Sequence, residues 1–176
     1  MRIGLSGTNW TGKSTTIERF TAQYPGEHTP KVVSLTDLVE ECPFPMNREQ
    51  GLDGSKWMVD RMSEMLAEAP RQLQIFDRTP LDVMAFTAYA AYKEKRSAGD
   101  LLSRLQQMSS QFHHIFYLRP DPSWPVGVDP KVEDWSFALL IDHFMFRAFS
   151  EKFFNASAVP WAIPERLQLM NERVSE

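Results

Sequence analysis

One cysteine, Cys42, in 176 residues leaves no partner for an intrachain disulfide, which fits a reducing compartment. Between Glu41 and Pro43, with no activating arrangement in the sequence, that thiol reads as an incidental loop residue. No apolar run approaches the ~18 residues of a membrane-spanning helix. Nor does a charged-then-apolar leader precede the first strand pattern, so a cytoplasmic protein with no membrane association is expected. Basic residues are not concentrated either. Lys and Arg number 19 against 23 Asp and Glu, for a formal charge of −4 and a pI near 5.6. Proteins that grip duplex DNA through its phosphates carry a basic stripe, and this balance leans away from one. Repeats, low-complexity tracts and linkers are missing as well. Hydrophobic residues, by contrast, make up 43% and aromatics 12%, which excludes a disordered chain. The length suits a single domain, residues 1–176, with a substantial core.

Against that background one motif stands out. Gly7-Thr8-Asn9-Trp10-Thr11-Gly12-Lys13-Ser14 is a complete G-x-x-x-x-G-K-[ST] sequence, preceded by the apolar Ile3-Gly4-Leu5 and followed by a helical pattern. A run of backbone N–H groups continued by a helix N-terminus makes a concave site for phosphate oxygens. Gly7 and Gly12 allow backbone angles and a close approach that a side chain would block. Lys13 supplies a point charge for β- and γ-phosphates, and the Ser14 hydroxyl a ligand for Mg²⁺. Residues Gly7 to Thr15 are therefore the expected contacts to a nucleoside triphosphate, ATP, bound with Mg²⁺. Trp10, unusual inside such a loop, is expected to face outward and pack rather than stack on a base.

Strand and helix patterns alternate along the chain. Residues 2–6 suit a buried strand, Lys13 to Gln23 a helix, Lys31 to Leu35 a second strand, and Glu41 to Gly54 a loop. A helix is expected from Ser55 to Ala69, a strand over Gln72–Asp77, and helices from Pro80 to Lys93 and Asp100 to Gln111. His113–Leu118 reads as a fourth strand, and Val132 to Phe154 as a long helix. Val159–Ile163 is a weak fifth strand, and Pro164 opens a last helix. Residues 119–130 hold four prolines and one glycine and read as irregular. This alternation predicts a three-layer α/β/α fold, about five parallel strands with helices on both faces. Ligands in such folds lie beyond the carboxyl ends of the strands. Gly7, Asp37, Asp77 and Arg119 all fall there.

Asp77-Arg78-Thr79 follows the third strand. An acid beside a phosphate loop can hold the Mg²⁺ hydration shell or take a proton from an attacking hydroxyl, and Arg78 offers a planar fork for an anionic oxygen. Asp77 could also cap the Pro80 helix, although Thr79 is the better cap. Gln74-Ile75-Phe76-Asp77-Arg78-Thr79 resembles the strand-acid-Arg motif of deoxynucleoside kinases and thymidylate kinases. Asp77 to Asp82 is similar to the corresponding stretch of small ribosylnicotinamide-kinase-like P-loop proteins, and Phe116-Tyr117-Leu118-Arg119-Pro120 to the strand that enters the deoxynucleoside-kinase lid. The resemblance covers roughly residues 1–120 and implies a P-loop kinase domain with a lid-like segment at about 119–131. It also implies an acid after the second strand that contacts the phosphoryl acceptor. Asp37 is the matching position, with Glu40 and Glu41 as competitors and a solvated helix start as the alternative.

The chain departs from the family in its lid, where those kinases carry several arginines. Between Pro120 and Ser136 the one cation is Lys131, so Arg119 is left to offset phosphoryl charge, helped by Lys131, Arg96 or Arg104. Trp57, Lys56 and Arg61 begin the helix that lines the acceptor pocket in similar kinases, though core packing explains Trp57 equally well. His113 and His114 are expected to be structural. The apolar stripe Trp135, Phe137, Leu140, Ile141, Phe144, Met145 and Phe149 suits a core, or the surface of a homodimer. The expected reaction is transfer of the ATP γ-phosphoryl group to a small-molecule acceptor, most readily a deoxynucleoside monophosphate. Catalysis would rest on Lys13, Asp77, Arg78, Arg119 and Asp37, with Ser14 and Asp77 on the metal. A nucleoside, or a hydroxymethylated base in DNA, is the alternative acceptor, the DNA form disfavoured by charge. An ATPase switch that works on a partner is the alternative of another class.

Overall fold

The computed structural model describes residues 1–121, 132–151 and 155–175. Five parallel strands form one sheet: β1 (Arg2–Ser6), β2 (Lys31–Ser34), β3 (Gln74–Asp77), β4 (His114–Tyr117) and β5 (Ala156–Ala158). Their order is β2-β3-β1-β4-β5, so β1 is the central strand. Leu5 is in register with Asp77 on one side and Phe116 on the other, which brings the ends of three strands to one rim.

Seven α-helices cover the sheet: α1 (Lys13–Thr21), α2 (Thr36–Glu41), α3 (Leu52–Leu66), α4 (Pro80–Glu94), α5 (Gly99–Ser109), α6 (Val132–Ser150) and α7 (Ile163–Val174). Side chains alternate along each strand and so supply two cores. Ile3, Leu5, Ile75 and Phe116 pack with Ile17 and Phe20 of α1 and Met170 of α7. Phe76, Ile115 and Tyr117 face the other way, onto Met58 and Met62 of α3, Leu105 of α5 and Ile141 and Met145 of α6. The three-layer α/β/α arrangement of a P-loop NTPase is therefore present. None of the described helices is long and apolar enough to cross a membrane.

Most element ends fall within three residues of the sequence expectation, and four departures stand out. The six-residue α2 follows β2 directly and buries one side chain, Leu38, too little to show as a periodicity. Helix α3 begins at Leu52 because the Glu94 carboxylate accepts the Leu52 N–H at 2.9 Å, a cap supplied from 42 residues away. Helix α6 ends at Ser150, and the expected continuation to Phe154 runs into residues 152–154, outside the described residues. The fifth strand lies at Ala156–Ala158, ahead of the more β-prone 159–163. Val159 still donates its N–H to the Tyr117 carbonyl at 3.0 Å, and Pro160, with no N–H, ends the ladder.

Gly4 shows how tightly the rim is built. A Cβ there would lie 2.3 Å from Cγ2 of Thr79 and 3.2 Å from the Phe112 ring. Gly4→Val is expected to cost about 2–4 kcal/mol by overpacking, read as a fall in thermal midpoint.

Candidate active site

The loop Gly7–Ser14 joins β1 to α1 in a conformation that its glycines permit. Gly7 sits at φ 152°, and a Cβ on it would come within 2.4 Å of the Leu118 carbonyl oxygen, so the loop can leave β1 against the end of β4. Gly12, at φ 79°, caps α1 in the left-handed region. Trp10 adopts φ 62°, and its ring lies 6.2 Å from that of Trp135 at the start of α6. Lys13 is buried and folds back, its Nζ donating to the carbonyls of Gly7 at 2.7 Å and Thr8 at 2.8 Å. Burial pushes its pKa down to about 8, with Arg78 adding to the effect and Asp82 and Asp77 opposing it.

A cavity of about 330 Å³ opens over this loop, lined by residues 9–15 together with Thr36, Asp77 and Arg78. Ser14 and Thr15 are exposed there, while Gly7 and Thr8 are buried beneath. Asp77 ends β3 with its Oδ1 buried and without a hydrogen-bond partner among the described residues. An unmatched carboxylate oxygen in a cavity lined by an exposed serine and a buried ammonium is a donor set suited to a metal-bound triphosphate. The residues present fit ATP with Mg²⁺.

Arg78 is held beside Asp77 at φ 73°, a left-handed geometry rare outside glycine. Its Nη2 donates to Asn9 Oδ1 at 3.0 Å, and Nη1 lies 3.5 Å from Asp82 Oδ1. Asp82 was not singled out from the sequence, yet it ties the site together. Its Oδ1 accepts the Gly7 N–H at 3.2 Å and its Oδ2 the Thr79 N–H at 2.8 Å. Thr79 in turn accepts the Leu81 N–H through Oγ1 at 3.1 Å, completing a reciprocal cap on α4. The Thr79-x-x-Asp82 spacing was the available signal. Burial raises the Asp82 pKa, opposed by Arg78, Lys13 and the two backbone donors.

Two further cavities adjoin the loop. One, of about 200 Å³, is walled by Leu35, Val39, Met46, Met58, Val83 and Phe86, with Asn47, Gln50 and Arg78 among its polar groups. The other, of about 230 Å³, brings Arg48 and Arg78 together with Thr8, Asn9 and Asn47, and no carboxylate lines it among the described residues. Arg48 gave no sequence signal because it lies in an irregular stretch, the short 3₁₀ turn Asn47–Glu49. Its carbonyl accepts the Tyr89 hydroxyl at 2.9 Å and the Lys93 ammonium at 3.2 Å, and its guanidinium stacks 5.1 Å from the Phe137 ring centre.

Other candidates lie apart. Asp37 is exposed on the first turn of α2 and lines none of these three cavities, although Thr36 and Val39 on either side do. Glu40 and Glu41 are also exposed. Arg119 pairs with Asp142 Oδ2 at 3.1 Å and lies 4.5 Å over the Phe146 ring, also outside the three cavities. Asp142 Oδ1 accepts the Tyr117 hydroxyl at 2.5 Å. Arg96 pairs with Glu94 at 2.9 Å and Arg104 with Asp60 at 2.8 Å. Lys131 and all of the lid-like segment beyond Asp121 lie outside the described residues. Trp57 packs half-buried on the core with Arg61 6.0 Å from its ring, and Lys56 pairs with Asp60 at 2.6 Å. His113 and His114 hydrogen-bond to the Arg173 carbonyl and the Ser157 hydroxyl.

This fold is shared with solved nucleotide and nucleoside kinases. Thymidylate kinase from Ehrlichia chaffeensis superposes with a TM-score of 0.67 at 12% identity, over 100% of this chain and 98% of that one. Deoxyadenosine kinase from M. mycoides, solved with dCMP and dCDP bound, gives 0.62 at 17% identity over 99% of each chain. NadR, solved in complex with NR, gives 0.67 at 13% identity over 99% of this chain and 52% of its own. No curated protein matches the chain by sequence. A family model described as an AAA domain matches residues 2–162, nearly the whole chain, and the protein belongs to that AAA-domain family.

Proposed function

We propose that this protein transfers the γ-phosphoryl group of ATP to a nucleoside monophosphate, and that its acceptor is a deoxynucleoside monophosphate. The observation that carries this reading is the pair of guanidiniums, Arg48 and Arg78, on one cavity next to the phosphate loop that no carboxylate lines among the described residues. Two forks of like charge brought to one space suit an anionic acceptor and are wasted on a neutral one. The adjoining apolar cavity would take the base, against Phe86 and the amides of Asn47 and Gln50.

In this scheme Lys13 and the loop amides hold the β- and γ-phosphates, while Ser14 and Asp77 hold Mg²⁺. The metal, when bound, neutralises charge on the transferring group. Arg78 and Arg48 orient the acceptor phosphate, while Asp37, which lines none of the three cavities, plays no part in this scheme. Arg119 would exchange Asp142 for phosphoryl oxygens as charge develops. The nearby kinase folds support the reaction class, since one is named a thymidylate kinase and another a deoxyadenosine kinase solved with dCMP and dCDP bound.

The test is transfer of label from γ-labelled ATP, with Mg²⁺, to a panel of nucleosides, nucleoside monophosphates and oligonucleotides carrying plain or hydroxymethylated pyrimidines. Lys13→Ala is the blank. Label on monophosphates alone is the expected result. Label on nucleosides or DNA would reassign the acceptor, and label released only as free phosphate would make the protein an ATPase switch. Within the same assay, Asp77→Asn is expected to lower kcat about 10²–10³-fold.

A further inference from the structure

Helix α7 sends one buried cation to the back of the phosphate loop. Arg166 is 5% exposed, and its Nη1 donates to the Thr11 carbonyl at 2.8 Å and lies 3.3 Å from Thr16 Oγ1. Its Nε donates to the Pro160 carbonyl at 2.6 Å, so one guanidinium joins the loop to the segment that follows β5. Three of its contacts are therefore to neutral oxygens. A carboxylate would be the usual partner for so buried a charge, and Asp121 acts on it electrostatically while burial lowers its pKa.

The geometry of the peptide makes this contact consequential. In a trans peptide the carbonyl of one residue and the N–H of the next point in opposite directions. With the Thr11 oxygen turned onto Arg166, the Gly12 N–H points away from α7. That is the side of the phosphate cavity, which Thr11 and Gly12 line together. A cation on the carbonyl also polarises the same peptide and strengthens its N–H as a donor. Gly12 makes room for this arrangement, since a Cβ there would stand 3.0 Å from Arg166 Nη1. The second glycine of the motif thus has a reason specific to this chain, beyond its left-handed φ.

We propose that Arg166 is a positioning residue for the donor triphosphate, fixing and polarising the Thr11–Gly12 peptide so that its N–H meets a phosphate oxygen. The inference rests on the reading of Gly7–Ser14 as the ATP site. Nothing in it requires contact between Arg166 and nucleotide.

The experiment compares wild type, Arg166→Met, Arg166→Lys and Lys13→Ala by titration with Mg·ATP and Mg·ADP. The Gly12 amide resonance is followed in ¹H–¹⁵N spectra. Wild type is expected to bind both nucleotides with a downfield shift of the Gly12 amide. Arg166→Met is expected to bind about tenfold more weakly and to lose most of that shift, with Arg166→Lys between the two because one ammonium cannot bridge Thr11 and Pro160. A folded Arg166→Met with unchanged affinity and an unchanged Gly12 shift would overturn the proposal and leave the ATP site standing. Weaker binding with the Gly12 shift intact would also overturn it, since a general loosening of the fold explains that pattern. Should Arg166→Met fail to fold, Arg166→Lys decides: wild-type affinity and shift there overturn the proposal. If wild type binds no better than Lys13→Ala, the ATP-site reading itself fails, and this inference with it.

Discussion

Lys13→Ala is expected to lower phosphoryl transfer by about 10²–10³-fold or more, with ATP affinity falling alongside it. Lys13 is the buried cation of the site, and its Nζ already organises the loop by bonding Gly7 and Thr8 carbonyls. Its folded pKa near 8 adds a pH signature. Above that value the ammonium loses its proton in the free protein, so wild-type affinity for ATP declines as pH rises through about 8. Stability moves the other way. The folded pKa lies below the ordinary value of 10.5, so between the two the unfolded chain holds more protons than the folded one. Unfolding free energy therefore rises with pH across that window, at up to about 1.4 kcal/mol per pH unit, and is flat in this respect below it. Thermal melts from pH 7.5 to 10, with and without ATP, check both trends, and the difference from Lys13→Ala isolates this one group.

Arg78→Ala is expected to raise the acceptor KM about 10–100-fold, well beyond any rise in the KM for ATP. Arg78 reaches into all three cavities at the rim and is fixed by Asn9 on one nitrogen and by proximity to Asp82 on the other. Lysine at this position does not restore the planar fork, so Arg78→Lys is expected to recover little. Removing the guanidinium also strips a counter-charge from the buried Asp82 carboxylate, which costs about 1–3 kcal/mol of stability. Steady-state kinetics at varied acceptor and varied ATP separate the two Michaelis constants. An equal rise in both would contradict the assignment of Arg78 to the acceptor.

The sequence made the phosphate loop legible because its chemistry is local: Gly7, Gly12, Lys13 and Ser14 act through backbone turns and one helix start. Strand ends are legible for the same reason, which puts Gly7, Asp77 and Arg119 just past strand ends in the sequence alone. Asp82 was half legible. Its spacing from Thr79 announces a helix cap, but the second bond, to the Gly7 amide, crosses 75 residues. Arg48 and Arg166 were not legible at all, since a turn without periodicity positions one and a contact across 155 residues positions the other. Arg119 shows the opposite failure. Its place after β4 was read correctly as a strand end, yet the direction of its side chain is set by Asp142 and Phe146 on α6.

The position of β1 bears on how the chain folds as well as on what it holds. Strand β1 pairs with no neighbour until residues 74–77 have been made, and its second edge waits for residues 114–117. Backbone groups of β1, Ile3 to Ser6 among them, therefore stay unpaired on both edges until those residues exist. Long-range pairing of this kind must meet its loop-closure entropy before any ladder bond rewards it, so collapse of the sheet is late and cooperative. The exposed first strand is in the meantime the segment most open to association with other nascent chains.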